Sequence, residues 1–244
     1  MAFLRTLFHR EREPAPLCSA VIVAAGRASR MEGIDKILTP MGGQPLLLYT
    51  LAPFQACEQV GEIVIVTRED LMVPIGTLCS QHGLTKVRRV VKGGESRTES
   101  VLAGLQETDP QAALVAIHDG ARPFLPEAVL EEAIQAAAQH GAAAPAIPVK
   151  DTIKVRGEDG FIDSTPDRGQ LFAVQTPQVF DRALLQEALG QAAAEGLSLT
   201  DDCAAVERLG RPVYLTRGSE DNLKITTPRD LTWGQAILAE RMGR

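Results

Sequence analysis

The feature that most constrains this chain is a repeated alternation of short apolar runs with helix-length segments, carried from residue 19 to residue 149. Ser19-Ala20-Val21-Ile22-Val23 is an apolar run that ends at Gly26, which is how a strand buried on both faces reads. A helix opened by proline follows over 45–57, then a strand over 62–66 and a largely helical stretch over 71–82. A third strand over 86–91 leads through Gly93-Gly94 into a helix over 95–107. A fourth, over 113–118, runs into Asp119-Gly120-Ala121-Arg122-Pro123, with a helix over 126–140 and a strand over 142–149 beyond it. Such β-α-β alternation predicts an α/β fold, a mostly parallel sheet with helices on both faces. Ligands of these sheets bind beyond the carboxyl ends of the strands, so the loops after Val23, Val91 and Ala116 are expected to meet at one site.

The pattern changes at Lys150. Thr152-Ile153-Lys154-Val155 alternates, Glu158-Asp159-Gly160 is a turn signal, and Phe161-Ile162-Asp163-Ser164 can return as a second strand. This predicts a β-hairpin arm at about 149–170, projecting from a single domain over 18–244. An isolated hairpin is marginal in water, so the arm is expected to pack on a second copy of the chain. Helix and strand resume from residue 171.

Residues 1–17 form a separate leader. Phe3, Leu4, Leu7 and Phe8 share a helical face among arginines, but the stretch is too short and too interrupted for a signal peptide or membrane span. It reads as a weakly ordered segment ending at Pro14 and Pro16, or as a docking or membrane-grazing helix. No membrane association is expected. The net charge of −6 argues against a general nucleic-acid binder, whose affinity comes from neutralising backbone phosphates, and favours a small phosphorylated ligand. Cys18, Cys57, Cys79 and Cys203 show neither zinc-site spacing nor disulfide-scaffold density. Reduced, buried thiols and a cytoplasmic location follow.

Four stretches carry chemistry. Ala24-Ala25-Gly26-Arg27-Ala28-Ser29-Arg30-Met31, continued to Asp35-Lys36, is a small-residue turn that lets backbone N–H groups approach an anion, with Arg30 and Lys36 flanking it. It lacks the G-x-x-x-x-G-K-[ST] of a P-loop and has only one glycine of the dinucleotide fingerprint, which disfavours a nicotinamide oxidoreductase. A plain strand-to-helix loop with solvated charges fits the same residues. In Gly93-Gly94-Glu95-Ser96-Arg97-Thr98-Glu99-Ser100, the helix start and Ser100 can read the edge of a base, or Glu95 or Ser96 can simply cap the helix. His118-Asp119-Gly120-Ala121-Arg122 places a carboxylate at a strand end, suited to Mg²⁺ or a hydroxyl, with an arginine suited to phosphate; an Asp–Arg pair bracing the turn is the plainer alternative. His118 itself reads as a buried strand-end residue rather than a catalyst. Asp221-Asn222-Leu223-Lys224-Ile225-Thr226 puts a lysine in an otherwise apolar strand, where it calls for an anionic partner, structural or phosphate.

The set AAGRASRM…DK, GGESRTESVLAGL, HDGARP, PVKDTIK, QTPQ, TDD and DNLKITTP resembles the 2-C-methyl-D-erythritol 4-phosphate cytidylyltransferase family, over about residues 19–235. The resemblance implies a Rossmann-like nucleotidyltransferase three-layer sandwich, a homodimer joined by the arm, and a place in the non-mevalonate isoprenoid pathway. It implies Arg30 and Lys36 as grips on the CTP phosphates, and Lys224 as a further catalytic cation that completes the sugar-phosphate pocket with Thr176 and Thr200. Backbone at Ala24, Ala25, Gly26 and Gly94, with Glu95 and Ser100, would hold cytidine. Asp119, Arg122, Thr152, Arg168, Thr176 and Thr200 would meet the polyol phosphate, Thr152 and Arg168 from the partner's arm. Mg²⁺ or another divalent cation would be held mainly by the CTP phosphates, with Asp119 as its candidate protein ligand. Ala28, Asp35 and Glu95 depart from the family pattern, which usually has glycine, proline and a shorter acid there. A ribitol 5-phosphate cytidylyltransferase is the nearest alternative, and a nucleotide-sensing module without turnover is the alternative from another class.

Overall fold

The computed structural model describes residues 18–26 and 37–243. The leader and the segment holding Ala28, Arg30, Asp35 and Lys36 lie outside the described residues. β1 (Cys18–Val23) is followed by a small ribbon, β2 (Pro40–Met41) with β3 (Gln44–Pro45), and by α1 (Leu46–Ala56). Then come β4 (Val60–Thr67), α2 (Glu69–Gln81), β5 (Val87–Lys92), α3 (Arg97–Gln106), β6 (Leu114–Asp119), α4 (Glu127–His140) and β7 (Ala142–Pro148). Every element expected from the alternation forms, with ends displaced by at most two residues. Beyond them lie β8 (Val155–Arg156), β9 (Ile162–Ser164), a 3₁₀ turn at Arg168–Gln170, β10 (Phe172–Val174) and β11 (Gln178–Asp181). The described chain closes with α5 (Arg182–Ala194), α6 (Asp202–Arg208), β12 (Tyr214–Arg217) and α7 (Pro228–Met242).

The main sheet runs β5-β4-β1-β6-β11-β7, with β10 beside the far half of β7 and β12 on β7's other side. β1 pairs in parallel with β4 and β6, and β4 with β5. β11 is a reversed wedge, antiparallel to both β6 and β7, so β7 still runs in the direction of β6. From β1 the chain leaves to one side through β4 and returns on the other at β6, which makes its carboxyl end the topological switch point.

Alternate side chains of the central strands feed two cores. Ala20, Ile22, Ile63, Ile65 and Ala116 meet Leu51, Phe54, Ile75 and Leu130 of α1, α2 and α4. Val21, Val66, Val115 and Ile117 meet Val101, Leu105, Leu185 and Val206 of α3, α5 and α6. Burial of each valine, leucine, isoleucine or phenylalanine among them contributes about 1.5–3 kcal/mol, and the two layers explain why β1 and β4 read as unbroken apolar runs. α7 covers a third cluster of Met41, Leu46, Phe124 and Ile225. Its start carries a capping box between Thr227 and Asp230, with Pro228 in the first turn.

The arm forms, but its ladder is short. Val155 pairs with Ser164 and Arg156 with Ile162, across a turn in which Gly160 adopts φ +90°. Thr152, Ile153 and Lys154 stay outside the ladder and exposed, because nothing else in the described chain supplies a pleated neighbour for them. Lys224 departs from its expected setting as well. Asp221 lies in a turn and residues 222–226 belong to no sheet; the Ile225 N–H is spent on the carbonyl of Ala121 at 2.8 Å, which pins this segment against the β6 loop. All four cysteines are free and buried. Among the described residues no helix is long and apolar enough to cross a membrane.

Candidate active site

A cleft of about 1080 Å³ opens at the carboxyl ends of β1, β4, β5 and β6, lined by the three loops expected to converge and by Lys224. Close backbone approach builds its wall. A Cβ on Gly93 would lie 2.6 Å from the Cβ of Ala25 and 2.8 Å from Ser100 Oγ, so only glycine lets the β5–α3 turn lie against the β1 loop. The Ala24 N–H is already given to Val66 O at 2.7 Å, which makes Ala24 part of the frame. Ala25, Gly26, Gly94, Glu95 and Ser100 all face the cleft.

Asp119, at the last position of β6, is the electrostatic centre of the cleft floor. Lys224 Nζ lies 2.8 Å from its Oδ2, and Arg122 Nε lies 3.5 Å from the same atom. Burial alone would raise its pKa, but Lys224, followed by Arg97 and Arg122, overcomes this and holds the carboxyl down at about 2. Asp119 is therefore a carboxylate at any physiological pH. Among the described residues no group of three or more His, Cys, Asp or Glu is placed to cage a metal. Asp119, as the lone carboxylate of the cleft floor among the described residues, suits a Mg²⁺-type cation that takes most of its ligands from phosphate oxygens, and does not suit an all-protein cage.

The helix start expected to offer donors is largely satisfied internally. Ser96 caps α3 by accepting from the Glu99 N–H at 3.1 Å, and Glu99 Oε2 accepts from the N–H groups of Glu95 and Ser96 at 2.7 and 3.3 Å. Ser100 Oγ donates to Ser96 O at 2.9 Å. The cap and the cleft wall are thus one object: the residues that terminate α3 also stiffen the turn.

His118 lies behind Asp119, fully buried against Phe54. Its Nε2 faces Arg122 O at 3.2 Å and so carries the proton; Nδ1 accepts from the Thr176 hydroxyl at 3.0 Å, whose oxygen in turn accepts the Asp119 N–H at 3.1 Å. Thr176 thereby fixes Asp119 from behind. Asn222 donates to Thr176 O at 2.8 Å, and its carbonyl accepts from Arg122 Nη1 at 2.7 Å, so Arg122 braces both Asp119 and the Lys224 segment.

Burial drives the His118 imidazole down to about 4, against the opposing pull of Asp119. The unfolded chain therefore takes up this proton first as pH falls. The stability held by neutral His118 is complete above about pH 6.5 and drains away toward pH 4, a loss of about 3 kcal/mol. Unfolding midpoints measured across that window should fall in the wild type and fall less steeply in His118→Gln. Asp119, whose folded pKa is depressed from a lower starting value, adds its own loss only between about pH 4 and 2.

Asp119, Lys224, Ala24, Ala25, Gly26, Gly94, Glu95 and Ser100 come together at the cleft, and Arg122 and Thr176 support it from behind. Thr152, Arg168 and Thr200 do not line it within one chain: Thr152 is exposed on the arm, Thr200 is exposed before α6, and Arg168 Nη1 donates to Lys150 O at 2.9 Å. Arg30 and Lys36 lie outside the described residues. What the sequence reading missed is the pairing of Arg97, on the cleft wall, with Asp202 of α6, through two 2.7 Å bonds. Asp202 belongs to the TDD motif, but 105 residues of separation carry no periodic signal that joins the two.

The pattern that defines the 2-C-methyl-D-erythritol 4-phosphate cytidylyltransferase family matches residues 18–240. A protein of that name from Caldanaerobacter subterraneus subsp. tengcongensis is 44% identical over 226 residues, spanning 90% of this chain and 98% of the relative. One from Halalkalibacterium halodurans is 44% identical over 227 residues, spanning 93% and 99%. The crystal structure of the 4-diphosphocytidyl-2C-methyl-D-erythritol synthase of Anaerococcus prevotii superposes with a TM-score of 0.83 at 32% identity, covering 92% of this chain and 97% of that one. With every strand of its main sheet inside the matched span, this chain belongs to the 2-C-methyl-D-erythritol 4-phosphate cytidylyltransferase family.

Proposed function

We propose that this chain transfers the cytidylyl group of CTP to 2-C-methyl-D-erythritol 4-phosphate, giving 4-diphosphocytidyl-2-C-methyl-D-erythritol and pyrophosphate, a step toward isoprenoid precursors. The observation that carries this reading is the family match over residues 18–240, which takes in every loop around the cleft. The attacking group is the polyol's own phosphate oxygen, which has a second pKa near 6 and is largely dianionic at neutrality, so no general base is needed. What the protein must do is bring two anions together and absorb charge at the α-phosphate. Lys224 supplies a cation at the cleft floor, Asp119 holds it in place, and Arg122 holds Asp119. A divalent cation, when bound, would neutralise triphosphate oxygens with Asp119 as its protein ligand. The decisive assay crosses four nucleoside triphosphates with methylerythritol 4-phosphate and ribitol 5-phosphate and reads pyrophosphate. Release with CTP and methylerythritol phosphate alone is expected. Preference for ribitol phosphate would move the assignment to that enzyme class, and binding of CTP without release would make the chain a sensor.

In this reading Arg30 and Lys36 grip the triphosphate, while Ala25, Gly26, Gly94, Glu95 and Ser100 hold cytidine within the frame set by Ala24. Arg30→Ala and Lys36→Ala should each lower kcat/KM about 10²–10³-fold with an unchanged circular-dichroism spectrum, the loss usual for one charge-stabilising donor. Near-wild-type turnover in both variants would remove the triphosphate assignment.

We further propose a homodimer in which Thr152 and Arg168 of the arm serve the partner's cleft, with Thr176 and Thr200 completing the polyol pocket. Support comes from the arm's exposed apolar side chains, Phe161 at 76% and Ile162 at 64%, which a lone hairpin gives no reason to keep. Mixing Arg168→Ala subunits with Lys224→Ala subunits should recover up to about a quarter of wild-type activity, since one intact site forms per heterodimer and half of the dimers are hetero. Well-mixed subunits with no recovery would show that each chain serves its own cleft. The four free, buried cysteines suit a reducing, cytoplasmic compartment.

A further inference from the structure

We infer that Arg97 is a positioning residue whose ion pair with Asp202 sets the nucleotide half of the cleft against its polyol-phosphate half. This rests on the assignment of the two half-sites made above. Arg97 opens α3, within the same eight residues as Gly94, Glu95 and Ser100. Asp202 opens α6, two residues after Thr200. The contact is end-on and bidentate, Nη1 to Oδ1 and Nη2 to Oδ2, both at 2.7 Å, a geometry that fixes direction as well as distance.

Each end of the pair is anchored beyond itself. Gln178 Oε1 accepts from the N–H groups of Asp202 and Cys203 at 3.0 and 3.1 Å, and Gln178 Nε2 donates to Asp201 Oδ2 at 2.8 Å. Gln178 stands on β11, two residues past Thr176, whose hydroxyl accepts the Asp119 N–H. On the other side, the Ser96–Glu99 cap ties Arg97 to the Gly93–Ser100 turn. A continuous set of directional contacts thus runs from the turn, through Arg97 and Asp202, to β11 and the floor carboxylate.

Two features separate this pair from a core brace. Its Asp202 side chain is buried, with 1% exposed, while the Arg97 side chain keeps 28% exposed and lines the cleft. Its charge also reaches Asp119, which Arg97 helps keep ionised. Apolar packing between the two helix starts would cost less desolvation, but it would not supply the two directional bonds that align Arg97 with Asp202.

The test uses Asp202→Asn, Arg97→Lys and the double variant of the full chain. CTP affinity is read by titration calorimetry, and the KM for the polyol phosphate by pyrophosphate release. Asp202→Asn is expected to weaken CTP binding about tenfold although Asp202 sits in the other half, and Arg97→Lys to raise the KM for the polyol phosphate about fivefold. The double variant should be no worse in either parameter than the poorer single one. Folded Asp202→Asn with CTP affinity within twofold of wild type, or effects that multiply in the double variant, would overturn the inference. If Asp202→Asn does not fold, Arg97→Lys decides alone, and an unchanged KM for the polyol phosphate overturns the coupling. A wild type that binds CTP without releasing pyrophosphate would overturn the reaction reading only, with the calorimetric comparison still deciding the coupling. A wild type that fails to bind CTP overturns both.

Discussion

Lys224→Ala should reduce kcat/KM for cytidylyl transfer by about 10³-fold while leaving the fold intact, the upper end of what one charge-stabilising donor contributes. The expectation rests on the lysine's double setting. Its Nζ is 2.8 Å from Asp119 Oδ2, yet 43% of the side chain remains open to the cleft, so it can hold the carboxylate and face a phosphate together. Removal takes away a cation and also leaves Asp119 as a less balanced negative charge on the path of two anionic substrates. The loss should therefore exceed that for a surface lysine of equal exposure, whose ion pair is worth at most about 1 kcal/mol. Asp119 is still held by Arg122 and by its N–H bond to Thr176, so the melting temperature should move by only a few degrees. Lys224→Arg should restore part of the rate, since it returns the charge with a different reach. Steady-state pyrophosphate release decides the matter: a Lys224→Ala enzyme within threefold of wild type would show that the cleft floor does not contact the transferring group.

The second large effect is on stability. Gly104, in the last turn of α3, lies directly against the sheet. A Cβ there would lie 2.5 Å from Val21 Cγ1 and 2.6 Å from Val66 Cγ2, both on fully buried, branched side chains that cannot swing away. Gly104→Leu should cost about 3 kcal/mol or more, near the upper end for overpacking, and lower the melting temperature by about 6–12 °C. Displacing α3 also moves Arg97 and Ser100, so the KM for CTP should rise in the folded fraction. Gly190, on α5, supplies the contrast: a Cβ there meets nothing within 4 Å. Gly190→Ala should gain about 0.5–1 kcal/mol from the lower entropy of the unfolded chain. Equal melting temperatures for Gly104→Leu and wild type would contradict the packing geometry.

The parts of this fold that were legible in the sequence are those written as periodicity. β1 and β4 announce themselves because both of their faces are covered, and α4 because its apolar stripe repeats along the helix. The convergence of three loops follows from parallel topology alone. The reversed wedge β11 was not legible: direction in a sheet is a property of the connection, and Gln178–Asp181 is apolar enough to run either way. Lys224 was read as a strand residue because its neighbours are apolar, but Leu223 and Ile225 pack beneath α7 instead of along a ladder. Within the site, the resemblance placed Asp119 and Lys224 at one pocket, but the ion pair between them was not legible. Arg97 and Asp202 were each in view and went unpaired, since an ion pair between two helix starts far apart in the chain has no spacing to read. Ser96 was weighed as a cap and is one, which leaves base recognition to the rest of the turn.

The burial of all four cysteines has a practical consequence for oxidation chemistry. Burial raises the pKa of every one of these thiols, so none is an appreciable thiolate near neutrality and none is an accessible nucleophile in the closed fold. Oxidants and alkylating reagents can reach them only when the surrounding element opens. Their labelling rates therefore act as four local clocks: Cys79 reports on α2, Cys18 on the central strand, Cys57 on the turn after α1, and Cys203 on the helix that holds Asp202.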